Sequence, residues 1–247
     1  MQPQLSHSED DIHGNSASYH KLQKYLGEFV YGGIDGSVTT FAVVAGSAGA
    51  DLSASVVIIL GLANLIADGF SMSVGAYLSA KSERDNYEKH RNLELWEVEN
   101  LREREIEEVR EIYQRKGFEG ALLDQVVDKI TEDKDRWVDV MMKEELEMSK
   151  ESKSPFLMGV VTLISFVVVG FIPLLVYVLN YIFTVQVNNT FLVASLLTSL
   201  AFIGIGWMKS YVTQTNRLRG ILETLLLGAF AAILAYFVGD VLEKLIT

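Results

Sequence analysis

The chain reads as an all-α membrane protein: five transmembrane helices with a charged helical insert, expected to be cytoplasmic, between helices 2 and 3. Three observations predict the architecture. Five apolar segments, residues 28–50, 53–80, 155–183, 190–211 and 220–246, each reach the ~20 residues a membrane helix needs. Charge is unevenly spread: residues 81–153 hold 15 of the 21 Lys and Arg and 22 of the 32 Asp and Glu. A membrane body carrying one soluble insert accounts for that partition. No apolar run alternates like a barrel strand, so the spanning backbone must satisfy its hydrogen bonds as helix.

Residues 1–26 form a polar tail containing Glu9, Asp10 and Asp11. It lacks the basic start and short apolar core of a cleaved signal peptide, so the first span is expected to act as an uncleaved anchor. Residues 27–80 hold the first two spans. The second meets no breaker before the charged region, which predicts a helix projecting into the cytosol. The insert occupies 81–153, and residues 154–247 hold the last three spans. Pro173 inside the third predicts a kink, because proline removes a helix hydrogen bond.

Basic residues set the orientation. Lys21 and Lys24 precede the first span, Lys81 and Arg84 follow the second, and Lys150 and Lys153 precede the third. Lys209, Arg217 and Arg219 lie between the fourth and fifth. The connections around Asp51 and around Asn188 and Asn189 carry no Lys or Arg. The tail and insert are then cytoplasmic, and the C-terminus lies on the far side.

The first two spans are rich in glycine: Gly32, Gly33, Gly36, Gly46 and Gly49, then Gly61, Gly69 and Gly75. Gly32-x-x-x-Gly36 and Ser71-x-x-x-Gly75 allow close helix approach, either within one subunit or at a symmetric dimer seam. Glycine beside Asp35 also offers a loosened helix whose carbonyls could serve an ion.

Two acids lie in these apolar runs, Asp35 in the first and Asp68 in the second. A carboxylate in hydrocarbon is costly, so such residues face a partner, a cavity or an ion path. Asn64, Asp68 and Met72, four residues apart, form one polar stripe on a helix. Glu28 lies nearer the entrance of the first span. Each acid alone can be explained as protonated, or hydrogen-bonded to Ser, Thr or Asn for packing. Two acids and a thioether in consecutive spans point instead to a transition-metal path. Metal needs the deprotonated carboxylate, so metal and proton compete for the same oxygens, and exchange of one for the other follows.

The insert holds eight glutamates between residues 93 and 113. On one straight helix, Glu94, Glu97, Glu105 and Glu108 fall within about 80° of arc. If the helix breaks near Asn100, two Glu-x-x-Glu pairs can face one another. Like charges at that spacing repel unless a cation lies between them. A second helix is predicted over 137–150, with Met141, Glu144, Glu145 and Met148 on one face. Glutamates with thioethers suit a borderline-soft divalent ion better than Ca²⁺ or Mg²⁺. The competing reading is a solvated acidic face, interspersed with Arg102, Arg104 and Arg110. His7, His13 and His20 of the tail are a weak metal-binding candidate beside plain disorder.

Several classes are excluded. No cysteine is present, so disulfides and thiolate metal sites are ruled out. A net charge of −11 with no basic stripe argues against nucleic acid. No nucleophile–base set, phosphate loop or His-Glu-x-x-His run suggests an enzyme. The Glu-x-x-His signature of di-iron bundles is absent as well.

With these residues in view, the chain resembles the vacuolar iron transporter family over about residues 20–246. The resemblance rests on Tyr31-Gly-Gly-Ile-Asp-Gly-Ser and on Asp68-Gly-Phe-Ser-Met-Ser-Val-Gly-Ala-Tyr-Leu-Ser-Ala-Lys-Ser-Glu. Trp137-Val-Asp-Val-Met-Met-Lys-Glu-Glu and Gly204-Ile-Gly-Trp-Met-Lys-Ser-Tyr add to it. It implies a homodimer exporting Fe²⁺, and often Mn²⁺, from the cytosol in exchange for protons, along a path lined by the first two spans. Asp35 and Met72 match its intramembrane ligands. The resemblance also implies a cytoplasmic three-helix metal-binding insert between helices 2 and 3, whose ligands are matched by Glu94, Glu97, Glu105, Glu108, Met141 and Glu145. One position departs: the family pattern has glutamate where this chain has Asn64, and Asp68 lies one turn further along.

The expectation is therefore a divalent-metal/proton exchanger with Asp35, Asp68 and Met72 at the transit site and Glu28 and Asn64 at its approach. No cofactor is expected to be permanently bound; Fe²⁺ or Mn²⁺ are cargo. The membrane would be the plasma (inner) membrane in a bacterium and the vacuolar membrane in a eukaryote. The alternative is a metal-sensing or metal-buffering membrane protein with no through-path.

Overall fold

The computed structural model describes residues 24–183 and 189–246. His7, His13, His20, Lys21 and Asn188 lie outside them. The described residues form nine helices and no strand. In chain order these are α1 Leu26–Gly49, α2 Ala54–Asn100, α3 Arg102–Arg115, α4 Gly120–Thr131, α5 Lys134–Glu144, α6 Pro155–Gly170, α7 Ile172–Phe183, α8 Thr190–Thr213 and α9 Arg217–Ile246. They divide into two compact units, Leu78–Ser152 and the remainder. The 47-residue α2 runs unbroken from the apolar segment into the charged one and contributes residues to both.

In the larger unit, α1, α2, α8 and α9 are each long and apolar enough to cross a membrane. The pair α6 and α7, bent by 53°, supplies a fifth span if counted as one. Helix α6 stops at Gly170, and α7 begins one residue before Pro173. Pro173 has no N–H to offer the Val169 carbonyl and its ring crowds the preceding turn, so the break precedes the proline itself.

Helix α1 is central, packed by α6, α8 and α9. Its glycines from Gly32 to Gly49 face partners within this chain. A Cβ on Gly36 would meet the Phe166 backbone of α6, and one on Gly170 would lie 2.7 Å from the Gly36 carbonyl oxygen. Gly46 and Gly49 meet the Ala235 and Tyr236 carbonyls of α9. Gly75, by contrast, has open space beside it. It ends an exposed stripe of small residues on α2: Ala63, Ala67, Ser71 and Gly75. Buried hydroxyls bond back into their own helices, as Ser37 to the Gly33 carbonyl at 2.8 Å and Thr198 to that of Ala194 at 2.7 Å. Thr40 Oγ1 on α1 is an exception, buried without a hydrogen-bond partner, where an apolar surround makes that costly.

The smaller unit has its own core of Val98, Val109, Ile112, Val127, Trp137, Val138, Met141 and Met142. The Asp133 carboxylate caps α5, accepting from the Arg136 N–H at 2.8 Å. Arg102 covers the Trp137 ring at 5.0 Å. The helix predicted over 137–150 ends at Glu144. Glu147 takes a left-handed φ of 53°, and the Met148 N–H returns to the Met142 carbonyl at 2.8 Å. Met148 therefore leaves the helical face it was expected to share with Met141 and Glu145, and packs against the core instead.

Candidate metal path and capture site

Helices α1 and α2 bring their polar residues together in antiparallel register. Asp35 and Asp68 are near enough for their charges to interact. One turn further along α1, Thr39 Oγ1 accepts a 3.4 Å hydrogen bond from Asn64 Nδ2, one turn earlier on α2. Met72, one turn after Asp68, continues the stripe and packs at the edge of the larger unit's apolar core. Asp35, Asn64, Asp68 and Met72 are all half-buried, whereas Ile66 and Phe70, either side of Asp68, are 71% and 63% exposed. The acids thus turn toward the protein. Among the described residues neither Asp35 nor Asp68 makes an ion pair. Glu28 differs: its Oε1 accepts from Lys153 Nζ at 2.8 Å, and its buried Oε2 has no hydrogen-bond partner.

In the smaller unit the helix breaks at Leu101, the second of the two alternatives the spacing allowed. Glu94 and Glu97 end α2, Glu105 and Glu108 open α3, and Glu145 caps α5. All five interact electrostatically. Glu94 and Glu105 are 3% and 2% exposed. They occupy core-facing positions: Glu94 precedes Val98 by four residues, and Glu105 shares the spacing of Val109 and Ile112. Burial first, then the neighbouring carboxylates, pushes each up to about 7. Glu145 is raised by burial, then by Glu108 and Glu97. Glu94 Oε2 and Glu105 Oε2 are buried without a hydrogen-bond partner. Such a half-satisfied acidic cluster is unfavourable unless a cation joins it.

Met141 is fully buried one turn before Glu145. Arg104 holds Glu108 at 3.0 Å and supplies local positive charge. Among the described residues, no three acidic or imidazole side chains converge as a closed ligand set. The sequence-predicted ligands are thus neighbours with their charges apart.

Two partners escaped sequence reasoning. Thr39 had a signal, since it follows Asp35 by one helical turn. Lys153 had none, because 125 residues separate it from Glu28.

A family model described as the VIT family matches residues 26–240. A vacuolar iron transporter of Toxoplasma gondii is 34% identical, the match covering 98% of this chain and 81% of that protein. Vacuolar iron transporter 1 of Eucalyptus grandis is 35% identical over 85% of this chain and 83% of its own. The Arabidopsis thaliana protein of the same name is 33% identical over 87% and 85%.

Proposed function

The chain belongs to the VIT family, and from that premise we propose that it carries Fe²⁺, and also Mn²⁺, out of the cytosol in exchange for protons. The observation that carries this reading is the pair Asp35 and Asp68, within electrostatic reach of one another on α1 and α2, half-buried and without an ion pair among the described residues. Two neighbouring carboxylates in an apolar body repel, and a divalent ion between them relieves that repulsion. Protons relieve it equally, so the pair can be occupied by either cargo but not by both.

Asp68 supplies the charge that Asn64 lacks, one turn away on the same face. Met72 adds a soft thioether suited to iron and manganese. Glu28 stands at the approach. The insert glutamates gather ions from the cytosol: a divalent ion entering the cluster satisfies the buried Oε2 atoms of Glu94 and Glu105 and releases their protons, with Met141 and Glu145 completing the ligand set.

The bent pair α6 and α7 counts as one span, giving five, with the tail and insert cytoplasmic. The exposed stripe Ala63, Ala67, Ser71 and Gly75 is the seam for a second copy, small residues letting two α2 helices approach closely. The membrane is that of a vacuole, by analogy with the names of the relatives.

A metal buffer without a through-path would need only the insert; two acids within electrostatic reach in the apolar helices favour a path. Radiometal flux into proteoliposomes with an imposed proton gradient tests this. Asp35→Ala is expected to abolish flux while the protein stays monodisperse and its insert still binds Mn²⁺. Normal flux in that variant refutes the assignment, and wild-type flux indifferent to a collapsed proton gradient refutes the exchange.

A further inference from the structure

Two contacts join the lead-in to α6 with the first turn of α1. Lys153 Nζ donates to Glu28 Oε1 at 2.8 Å, and the Ser154 N–H donates to Tyr25 Oη at 2.9 Å. Tyr25 and Glu28 are one turn apart, so consecutive residues are clasped at successive points along one helix face. The second contact fixes the backbone beside Lys153 and holds its ammonium against the carboxylate. That carboxylate is 11% exposed, and its Oε2 is buried without a hydrogen-bond partner. Glu28 therefore presents one oxygen to a resident cation and another with nothing on it.

We propose that Lys153 is a tethered competing cation that occupies Glu28 until a divalent ion displaces it, thereby setting both the metal threshold of entry and its preference for doubly charged ions. The inference rests on Glu28 lying at the ion approach. At equal distance a 2+ ion attracts the carboxylate twice as strongly as an ammonium. A monovalent ion offers no more charge than Lys153 already supplies. It must also compete with a tethered group whose effective concentration is on the order of millimolar or above. Oε2, buried but unpartnered, offers a displacing metal a second oxygen that the ammonium does not use. Lys153 touches no cargo; it acts through Glu28 as a specificity-determining residue.

The test is Mn²⁺ flux in proteoliposomes of the full chain, read as half-saturating concentration and as inhibition by Na⁺ and K⁺. Lys153→Met, which keeps the apolar stem, is expected to lower the half-saturating concentration roughly two- to fivefold and to make flux sensitive to monovalent salt. Lys153→Arg is expected to restore wild-type behaviour. In a Glu28→Gln background, Lys153→Met should change nothing further. Unchanged half-saturation and salt sensitivity in Lys153→Met overturn the proposal, while a raised half-saturation in Glu28→Gln leaves the entrance reading intact. A Glu28→Gln protein with wild-type kinetics sinks that reading instead. Lys153→Gln is the second neutral variant; aggregation of both neutral variants, with Lys153→Arg folded, assigns the ion pair to folding and also overturns the proposal.

Discussion

Replacing Glu94 by glutamine tests whether the insert sacrifices stability for its acidic cluster. Burial and four neighbouring carboxylates lift Glu94 from 4.5 to about 7. At about 1.4 kcal/mol per pH unit, that disfavours its charged form by on the order of 3 kcal/mol. A carboxyl raised on folding binds more protons in the native state between those two values. The metal-free insert is therefore most stable below about pH 4.5, loses stability as pH rises through about 7, and levels off above it. Glu105 shares the same repulsion, so the two penalties overlap rather than add. The buried amide keeps an imperfectly paired polar group, which offsets roughly 1 kcal/mol of the relief. Glu94→Gln should thus stabilise the metal-free insert by about 1–2 kcal/mol at pH 8 and not at all at pH 5. Hydrogen exchange of the α3 and α5 amides in the full-length, metal-stripped protein measures this. Variant and wild type compared at one pH should differ by roughly five- to thirtyfold at pH 8 and converge at pH 5. The same variant should bind Mn²⁺ more weakly, and wild-type affinity should rise from pH 6 to 8 as fewer protons are displaced. Faster exchange in the variant at pH 8, or a ratio independent of pH, refutes the reasoning.

Two further predictions concern the membrane body. Gly36→Ala puts a Cβ against the Phe166 main chain, with its carbonyl carbon and Cα at 3.0 Å; backbone cannot swing aside, so α1 and α6 must separate at a cost of about 1–3 kcal/mol. A lowered melting temperature with lost transport and intact Mn²⁺ binding by the insert is expected, and wild-type stability would contradict it. Asp68→Asn should abolish proteoliposome flux, and the double change Asn64→Glu with Asp68→Asn should restore much of it by moving the acid one turn along the same face. Full activity of Asp68→Asn would show that the acid has no part in transit.

The spans were legible because apolar length is a coarse signal that neighbours seldom override. The polar stripe Asn64, Asp68 and Met72 was legible for a similar reason: four-residue spacing survives wherever the helix is continuous. The break at Leu101 was not decidable, since neither Asn100 nor Leu101 is a breaker. Tertiary packing of two short amphipathic helices selects it, and Asn100 Nδ2 then bonds the Trp96 carbonyl at 2.7 Å. The end of α5 was misjudged because a glutamate, Glu147, adopts the left-handed conformation that residue type rarely signals. The core positions of Glu94 and Glu105 could have been read from their spacing to Val98, Val109 and Ile112. Their sub-5% exposure could not, because it depends on which helices close over them.

Where α1 crosses α6, Gly36 lies against the Phe166 main chain and Gly170 against the Gly36 carbonyl, with the Leu65 side chain alongside. Side chains elsewhere in the bundle can change rotamer as temperature or lipid composition varies, but most of this junction is main chain. The acid at position 35, immediately next along the chain, inherits that rigidity. Its main chain is held there, so only its own side-chain torsions decide where the carboxylate reaches.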